Sequence, residues 1–272
     1  MQTSIQNIKA QLKTSKFLRF LKWEFYYKNR LPAAIELELD SRCNRKCVYC
    51  PVSLRPRPRQ QMSLEMFQKI VDELKAINWR GTIMPHFFNE PLIDKRLKDF
   101  LQIAKGTLKD NVYTKVLTNG DLLKIDLFRE WVEELKIIDR FEVSIHDDTP
   151  KKHLTALMDY AKSKSLESYL RLNDIKSEET AKFNRGGLIA INDPRIQQYL
   201  IENGCNWALK MVISASGNYL ICCNDYDEGN VIDNVAKNSI RDMWFKTRDE
   251  RKNLYLANFE REICKICVGI EN

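Results

Sequence analysis

Residues 33–50 read Ala33-Ala34-Ile35-Glu36-Leu37-Glu38-Leu39-Asp40-Ser41-Arg42-Cys43-Asn44-Arg45-Lys46-Cys47-Val48-Tyr49-Cys50. Ala33 to Leu39 has the composition of a strand, and it leads straight into a loop that carries three cysteines in three-then-two spacing. Three thiolates leave one iron of a four-iron cubane without a protein ligand, an open corner at which a cofactor binds. A structural zinc takes four protein ligands, usually from paired Cys-x2-Cys knuckles, so the spacing at Cys43, Cys47 and Cys50 favours an iron–sulfur cluster over zinc.

Outward from this stretch, strand and helix patterns alternate. Ser63 is placed to cap a helix through Leu74, Gly81 to Phe88 reads as a second strand, and Asp94 to Ala104 reads as a helix. Val112–Leu117, Arg140–Ile145 and Ser168–Leu172 follow as strands, with helices near Leu122–Leu135 and Pro150–Lys162 between them. Repeated β-then-α units mean an α/β fold of parallel strands joined by crossover helices. In such barrels chemistry sits at the C-terminal ends of the strands, which is where the cysteine loop lies.

At Cys-x3-Cys-x2-Cys, with the aromatic Tyr49 before the last cysteine, the chain resembles the radical S-adenosylmethionine (radical SAM) superfamily. That resemblance implies a partial (β/α)6 barrel, a 4Fe–4S cluster on the three cysteines, and SAM chelated to the fourth iron. It also implies reductive cleavage of SAM to a 5′-deoxyadenosyl radical that abstracts hydrogen from a substrate. Asn89-Glu90-Pro91 stands where the family carries Gly-Glu-Pro, so Glu90 is expected at the amino group of SAM. Asn for Gly departs from the family pattern. The resemblance places Asn119, in Thr118-Asn119-Gly120, and Ser144 along the SAM ribose. Arg171 sits in an otherwise apolar fifth strand, where a barrel-facing guanidinium needs an anion, and the SAM carboxylate is the natural one. Asn184-Arg185-Gly186-Gly187 resembles a further stretch common after that strand.

A second set, Cys205, Cys222, Cys264 and Cys267, supplies four thiolates, enough to close a site completely. A knuckle plus two distant cysteines is also a zinc-ribbon pattern. After a radical SAM barrel, the spacing resembles the twitch form of the SPASM domain, which implies a second, auxiliary 4Fe–4S cluster. Ala208–Ile213 and Tyr219–Cys223 alternate about the turn Ser214–Asn218 and read as a β-hairpin, with helices near Trp244 and Leu254 covering it. Coordination across the 41 residues between Cys222 and Cys264 would stabilise this segment. Cys223 is left over. Beside a ligand in a strand it points to the opposite face, toward the barrel mouth.

The chain has 272 residues, 44% hydrophobic and 30% charged, with a net charge of +7. This is a globular composition, divided here into an N-terminal helical segment (1–30), a barrel (31–200) and a twitch-like domain (201–272). Lys and Arg are scattered along helical stretches, which reads as a solvated basic surface rather than a nucleic-acid face; a zinc-knuckle nucleic-acid module is the non-enzyme alternative. No run is long and apolar enough to span a bilayer, and no signal peptide is apparent, so a cytoplasmic enzyme without stable membrane insertion is expected. Eight cysteines without a secretory signal point to thiolate ligands in a reducing compartment. Residues 5–28, with Ile5, Ile8, Leu12, Phe17, Leu18, Leu21, Trp23 and Phe25, form an amphipathic pattern that suits a docking helix.

For the reaction, the resemblance is greatest to compact radical SAM peptide epimerases of the epipeptide type. On that reading a ribosomally made precursor peptide is the substrate. Cys223 returns a hydrogen atom to the opposite face of the substrate radical, because an S–H bond is weak. A flavodoxin- or ferredoxin-type protein supplies the electron. The first 30 residues are too short for a winged-helix leader-binding domain, which leaves peptide recognition to the barrel mouth. The alternative reading is a twitch-domain dehydrogenase or epimerase acting on an aminocyclitol or aminoglycoside, whose cysteine layout is closely similar.

Overall fold

Two periodicities share the first two thirds of the chain, and the computed structural model, which describes residues 16–146, 152–174, 184–190 and 193–270, realises both. A short helix, α1 (Lys16–Lys22), precedes the first strand. Period-two stretches form β1 (Ala34–Leu37), β2 (Gly81–Met84), β3 (Val112–Thr118), β4 (Arg140–Ile145) and β5 (Leu170–Asp174). In β3, Val112, Thr114, Val116 and Thr118 are buried beneath the helices, while Tyr113, Lys115 and Leu117 lie on the more open face.

The helical period places α2 (Leu64–Ala76) and α3 (Leu97–Leu108) over that covered face. Ser63 caps α2 by accepting the Met66 N–H at 3.1 Å. Phe67, Ile70, Val71 and Leu74 form its buried stripe, and Leu97, Phe100, Leu101, Ala104 and Leu108 form that of α3. The two helices meet where the rings of Phe67 and Phe100 lie edge to face, 4.7 Å apart. Phe67→Ala would cost about 3–5 kcal/mol through lost burial and the cavity left behind.

A turn of helix at Ile125–Phe128, running into a π-helical turn at Arg129–Glu134, joins β3 to β4, and α4 (Lys152–Ser163) joins β4 to β5. The five strands are parallel in sequence order. The sixth parallel strand comes from far along the chain. β6 (Lys210–Ile213) lies against the other edge of β1, with Ala34 opposite Lys210 and Leu37 opposite Ile213. From there β7 (Asn218–Leu220) and β8 (Val231–Asn234) continue antiparallel, so the order is β5-β4-β3-β2-β1-β6-β7-β8. With neighbours on both sides, β1 is buried at all four residues. The sheet therefore crosses position 200 without a break.

Several boundaries differ from the sequence expectation for local reasons. β2 stops at Met84 rather than Phe88, because Pro85 has no N–H for the ladder and the chain turns there, with His86 N–H donating to Met84 C=O at 2.8 Å. Helix α3 begins at Leu97 rather than Asp94, which instead accepts the Arg96 N–H at 3.0 Å. β5 is displaced toward the C-terminus by a 3₁₀ turn at Glu167–Tyr169. The hairpin strands are shorter than read from sequence, and β7 ends at Leu220.

Further helices among the described residues are α5 (Pro194–Asn203), α6 (Ile240–Lys246), α7 (Arg248–Tyr255) and α8 (Glu262–Val268). The N-terminal docking pattern is met only in part: of its apolar positions among the described residues Trp23 is buried and Leu21 half-buried, while Phe17, Leu18 and Phe25 are exposed. Trp23, just past α1, is fully buried in a cluster with Ala208, Ile221, Leu254 and Tyr255, its ring 5.6 Å from that of Tyr255. The guanidinium of Arg19 lies 5.0 Å from the Tyr255 ring. Residues 1–15, which carry the earlier part of the pattern, lie outside the described residues. Among the described residues no helix is long and apolar enough to cross a membrane.

Candidate active site

The loop after β1 is held from several directions. Asp40 takes the guanidinium of Arg42 at 2.7 Å and the amide of Gln61 at 2.7 Å. Glu90 N–H donates to Arg42 C=O at 2.9 Å, which ties the loop to the turn after β2. Arg45 pairs with Asp121 at 2.6 Å, and Asn119 donates its side-chain amide to Asn44 at 2.8 Å, which ties the loop to the end of β3. Ser53, in a turn of helix at Pro51–Leu54, donates to the carbonyls of Cys47 and Cys50 at 2.6 and 2.7 Å. So supported, Cys43, Cys47 and Cys50 line a single cavity of about 240 Å³. Burial pushes the Cys43 thiol up to about 11 and raises that of Cys50. A cluster that takes them as thiolates displaces protons as it binds.

Glu90 lines the same cavity and is 2% exposed. It accepts from the Thr118 hydroxyl at 2.7 Å, the Asn119 N–H at 2.7 Å and the Leu92 N–H at 3.1 Å. These bonds fix the carboxylate beside the cysteines, and its pKa is raised because burial outweighs them. Asn89 also faces the cavity. Its Oδ1 accepts the Phe87 N–H at 2.9 Å, while its buried Nδ2 has no protein partner, a donor left for a ligand. Pro91 opens a 3₁₀ turn for which Glu90 is the cap. Asn119 and Ser144 line the cavity from the ends of β3 and β4, so Asn89, Glu90, Asn119 and Ser144 share it, while Pro91 and Arg171 do not.

Pro91 belongs to the turn behind Glu90, but Arg171 lies on another strand. It shares the face of Glu142, its neighbour across the β4–β5 ladder, but it is exposed, donates to Asn173 Oδ1 at 2.9 Å, and does not line the cavity. Among the described residues β5 is the edge strand of the sheet, so water solvates a guanidinium that a closed barrel would have had to pair. Two guanidinium groups do line the cavity, that of Arg45, paired with Asp121, and that of Arg185. The Arg185 stretch caps itself through Asn184 Oδ1 and Gly186 N–H at 3.1 Å, and Asn184 Nδ2 reaches Ile266 C=O in α8 at 2.8 Å. Gly186 has φ +68°, and a Cβ there would stand 2.8 Å from Ile263, so only glycine suits the position.

Cys223 lines the cavity too, as expected, though the cause is different. The hairpin strand has ended at Leu220, and Cys222 and Cys223 lie in the turn beyond it, not in strand alternation. Cys222 packs with the apolar cluster of Trp23, Cys205 and Cys264, while Cys223 opens on the cavity. Sequence reasoning missed Glu36, His86, His146 and Trp207, all in the wall. The signal for Glu36 was present: a carboxylate between Ile35 and Leu37 in a central strand has to face inward. His146 follows β4 and shares a hydrogen bond through Nδ1 with the hydroxyl of Tyr49.

The second set comes from three places in the chain. Cys205 precedes a 3₁₀ turn at Asn206–Leu209, Cys222 follows β7, and Cys264 and Cys267 occupy successive turns of α8. Two N–H groups of Asn224 point at this set, the backbone one to Cys222 Sγ at 3.3 Å and the side-chain one to Cys267 Sγ at 3.9 Å. Burial pushes Cys205 up to about 12 and Cys267 to about 11. Among the described residues no three His, Cys, Asp or Glu side chains converge on one point as ligands of a single ion do.

With this geometry in place, comparison with known proteins gives the class. Residues 38–199, more than half of the chain, match the family described as the Radical SAM superfamily. The chain belongs to the radical SAM superfamily, for which SAM and a 4Fe–4S cluster are the expected cofactors, and the cavity residues fit them. It is 26% identical over 247 residues to the S-adenosyl-L-methionine-dependent 2-deoxy-scyllo-inosamine dehydrogenase of Niallia circulans, covering 89% of this chain and 95% of that protein. It is 32% identical over 108 residues to a PqqA peptide cyclase of Bradyrhizobium diazoefficiens, but this covers only 39% of this chain and 26% of the cyclase. Among solved structures it is similar to BtrN in complex with AdoMet and 2-DOIA, with a TM-score of 0.74 and 26% identity over 87% of this chain and 92% of that one.

Proposed function

We propose that this radical SAM enzyme is a dehydrogenase that oxidises a hydroxyl-bearing carbon of a small aminocyclitol-type ring to a ketone. The observation that carries the reading is the similarity along 89% of this chain and 95% of the relative to a 2-deoxy-scyllo-inosamine dehydrogenase. On this reading Cys43, Cys47 and Cys50 would hold the cluster that receives SAM, with Glu90, Asn89, Asn119 and Ser144 at its other groups, and Cys205, Cys222, Cys264 and Cys267 would hold a second 4Fe–4S cluster. Bound there, these groups supply hydrogen-abstracting radical chemistry and a one-electron acceptor.

The chain's own residues do the rest. Glu90, fixed by three hydrogen bonds, orients the SAM ammonium without moving. The aromatic wall of Phe87, Phe88 and Trp207 excludes water from a reactive carbon radical. Arg185 offers donors to substrate hydroxyls from a glycine-tight turn against α8. The route from cavity to second set is short, since Cys223 and Cys222 are adjacent in sequence and face one each. An external one-electron reductant of the flavodoxin or ferredoxin type starts each turnover.

Epimerisation, with Cys223 as hydrogen-atom donor to a residue of a precursor peptide, is a second reading favoured by the position of that thiol in the cavity wall. The test is mass. Anaerobically reconstituted enzyme, given 2-deoxy-scyllo-inosamine, SAM and reductant in deuterated water, should yield a product two mass units lighter. A product of unchanged skeleton carrying one deuterium at an inverted carbon would replace dehydrogenation by epimerisation.

A further inference from the structure

Glu36 sits in the middle of β1, is 3% exposed, and lines the active-site cavity. Among the described residues no hydrogen bond or ion pair reaches its carboxylate. Glu38, two residues on and equally buried, shows what a satisfied carboxylate looks like in this strand: it is paired with Arg57 and accepts the Ala215 N–H at 3.4 Å. The cations nearest to Glu36 in effect are engaged elsewhere. Lys115 pairs with Glu142 at 3.3 Å, and Lys210 lies 4.1 Å from the centre of the Trp207 ring. His86, on the adjoining turn, adds a buried Nδ1 without a partner. Two unpartnered groups therefore face one cavity, a pattern that native interiors otherwise avoid.

We propose that Glu36 is the specificity determinant that receives a cationic amine of the substrate. The substrate class rests on the dehydrogenase reading; the carboxylate itself does not. Burial pushes Glu36 up to about 8 and holds His86 down at about 4, so near neutral pH both are uncharged when no cation stands beside them. An ammonium group supplies the missing counter-charge, and the carboxyl releases its proton to solvent as the amine seats. A hydroxyl at the same place hydrogen-bonds but brings no charge. Of the other ionisable groups in this cavity, Arg45, Arg185 and His146 are not anions, burial keeps the Cys223 thiol protonated, the three loop cysteines are reserved for the cluster, and the second carboxylate, Glu90, is already engaged by three hydrogen bonds.

The experiment measures binding to the anaerobic, cluster-loaded protein with SAM and no reductant, so that nothing turns over. The wild-type protein should hold 2-deoxy-scyllo-inosamine about tenfold or more tighter than the cyclitol with hydroxyl in place of the amine. In Glu36→Gln and Glu36→Met the two affinities should come together, while SAM binding and the melting temperature hold. A preference that survives both substitutions, or that is absent from the wild type, overturns the proposal. Should the wild type bind neither cyclitol, the dehydrogenase reading loses its substrate class, and cyclohexylamine against cyclohexanol decides Glu36 alone. Saturable amine binding lost in Glu36→Gln upholds the role; binding unaffected by the substitution, or no binding, ends it.

Discussion

The two cysteine sets solve different problems. The first occupies eight residues of one loop, tied down by Asp40, Asp121 and Ser53, at the rim of a sheet whose core lies elsewhere. The second is collected from positions 205 to 267 and is set in its own apolar cluster with Trp23, Leu254 and Tyr255. A site on a preformed loop separates chemistry from stability. On the proposed reading, a site assembled from dispersed segments joins them, because a cluster bound there would close long loops that are otherwise costly to hold.

That contrast can be broken most directly at the first set. Cys43→Ala should reduce deoxyadenosine formation to background and leave the melting temperature of the reconstituted protein within about 2 °C, since it removes a ligand from a rim and not from a core. Cys222→Ala should act the other way: iron should fall from about eight to about four per chain, melting should drop by several degrees, and SAM cleavage should continue while product is lost. Equal thermal losses in the two variants would erase the distinction.

A finer cut concerns pH. Glu36 has its folded pKa raised from the ordinary 4.5 to about 8, so the stability associated with its neutral form is present at low pH and is lost as pH rises through that interval. The wild-type melting temperature should fall more than that of Glu36→Gln between pH 6 and pH 9, and matching profiles would show that the carboxyl does not stay protonated. The smallest effect belongs to Arg171→Ala, which should change SAM affinity less than about twofold, because the side chain is solvated on an edge strand. A tenfold loss would put Arg171 back at the SAM carboxylate.

Much of this was legible in the residues. The cysteine spacing, the repeated β-then-α pattern and the Ser63 cap follow from local rules, and the placing of Glu90, Asn119 and Ser144 at one site follows from the family resemblance. What was not legible depends on partners distant in sequence. The pairing of β6 with β1 leaves no mark in either stretch, since both read as ordinary apolar strands. Arg171 was misplaced because inward orientation was equated with enclosure, and an open sheet edge removes that equation. Cys223 reached the cavity by a turn, although strand alternation had suggested the same destination. Glu36 was readable as inward-facing but went unweighed beside the cysteines.

The β1–β6 ladder also bears on how the protein is made. The central strand is translated early, yet the neighbour that seals its second edge spans residues 210–213. Until the ribosome has passed that point, a row of unsatisfied amides on an apolar strand stands open, the kind of edge that recruits other chains. Nascent or C-terminally truncated forms therefore need shelter that the finished enzyme does not.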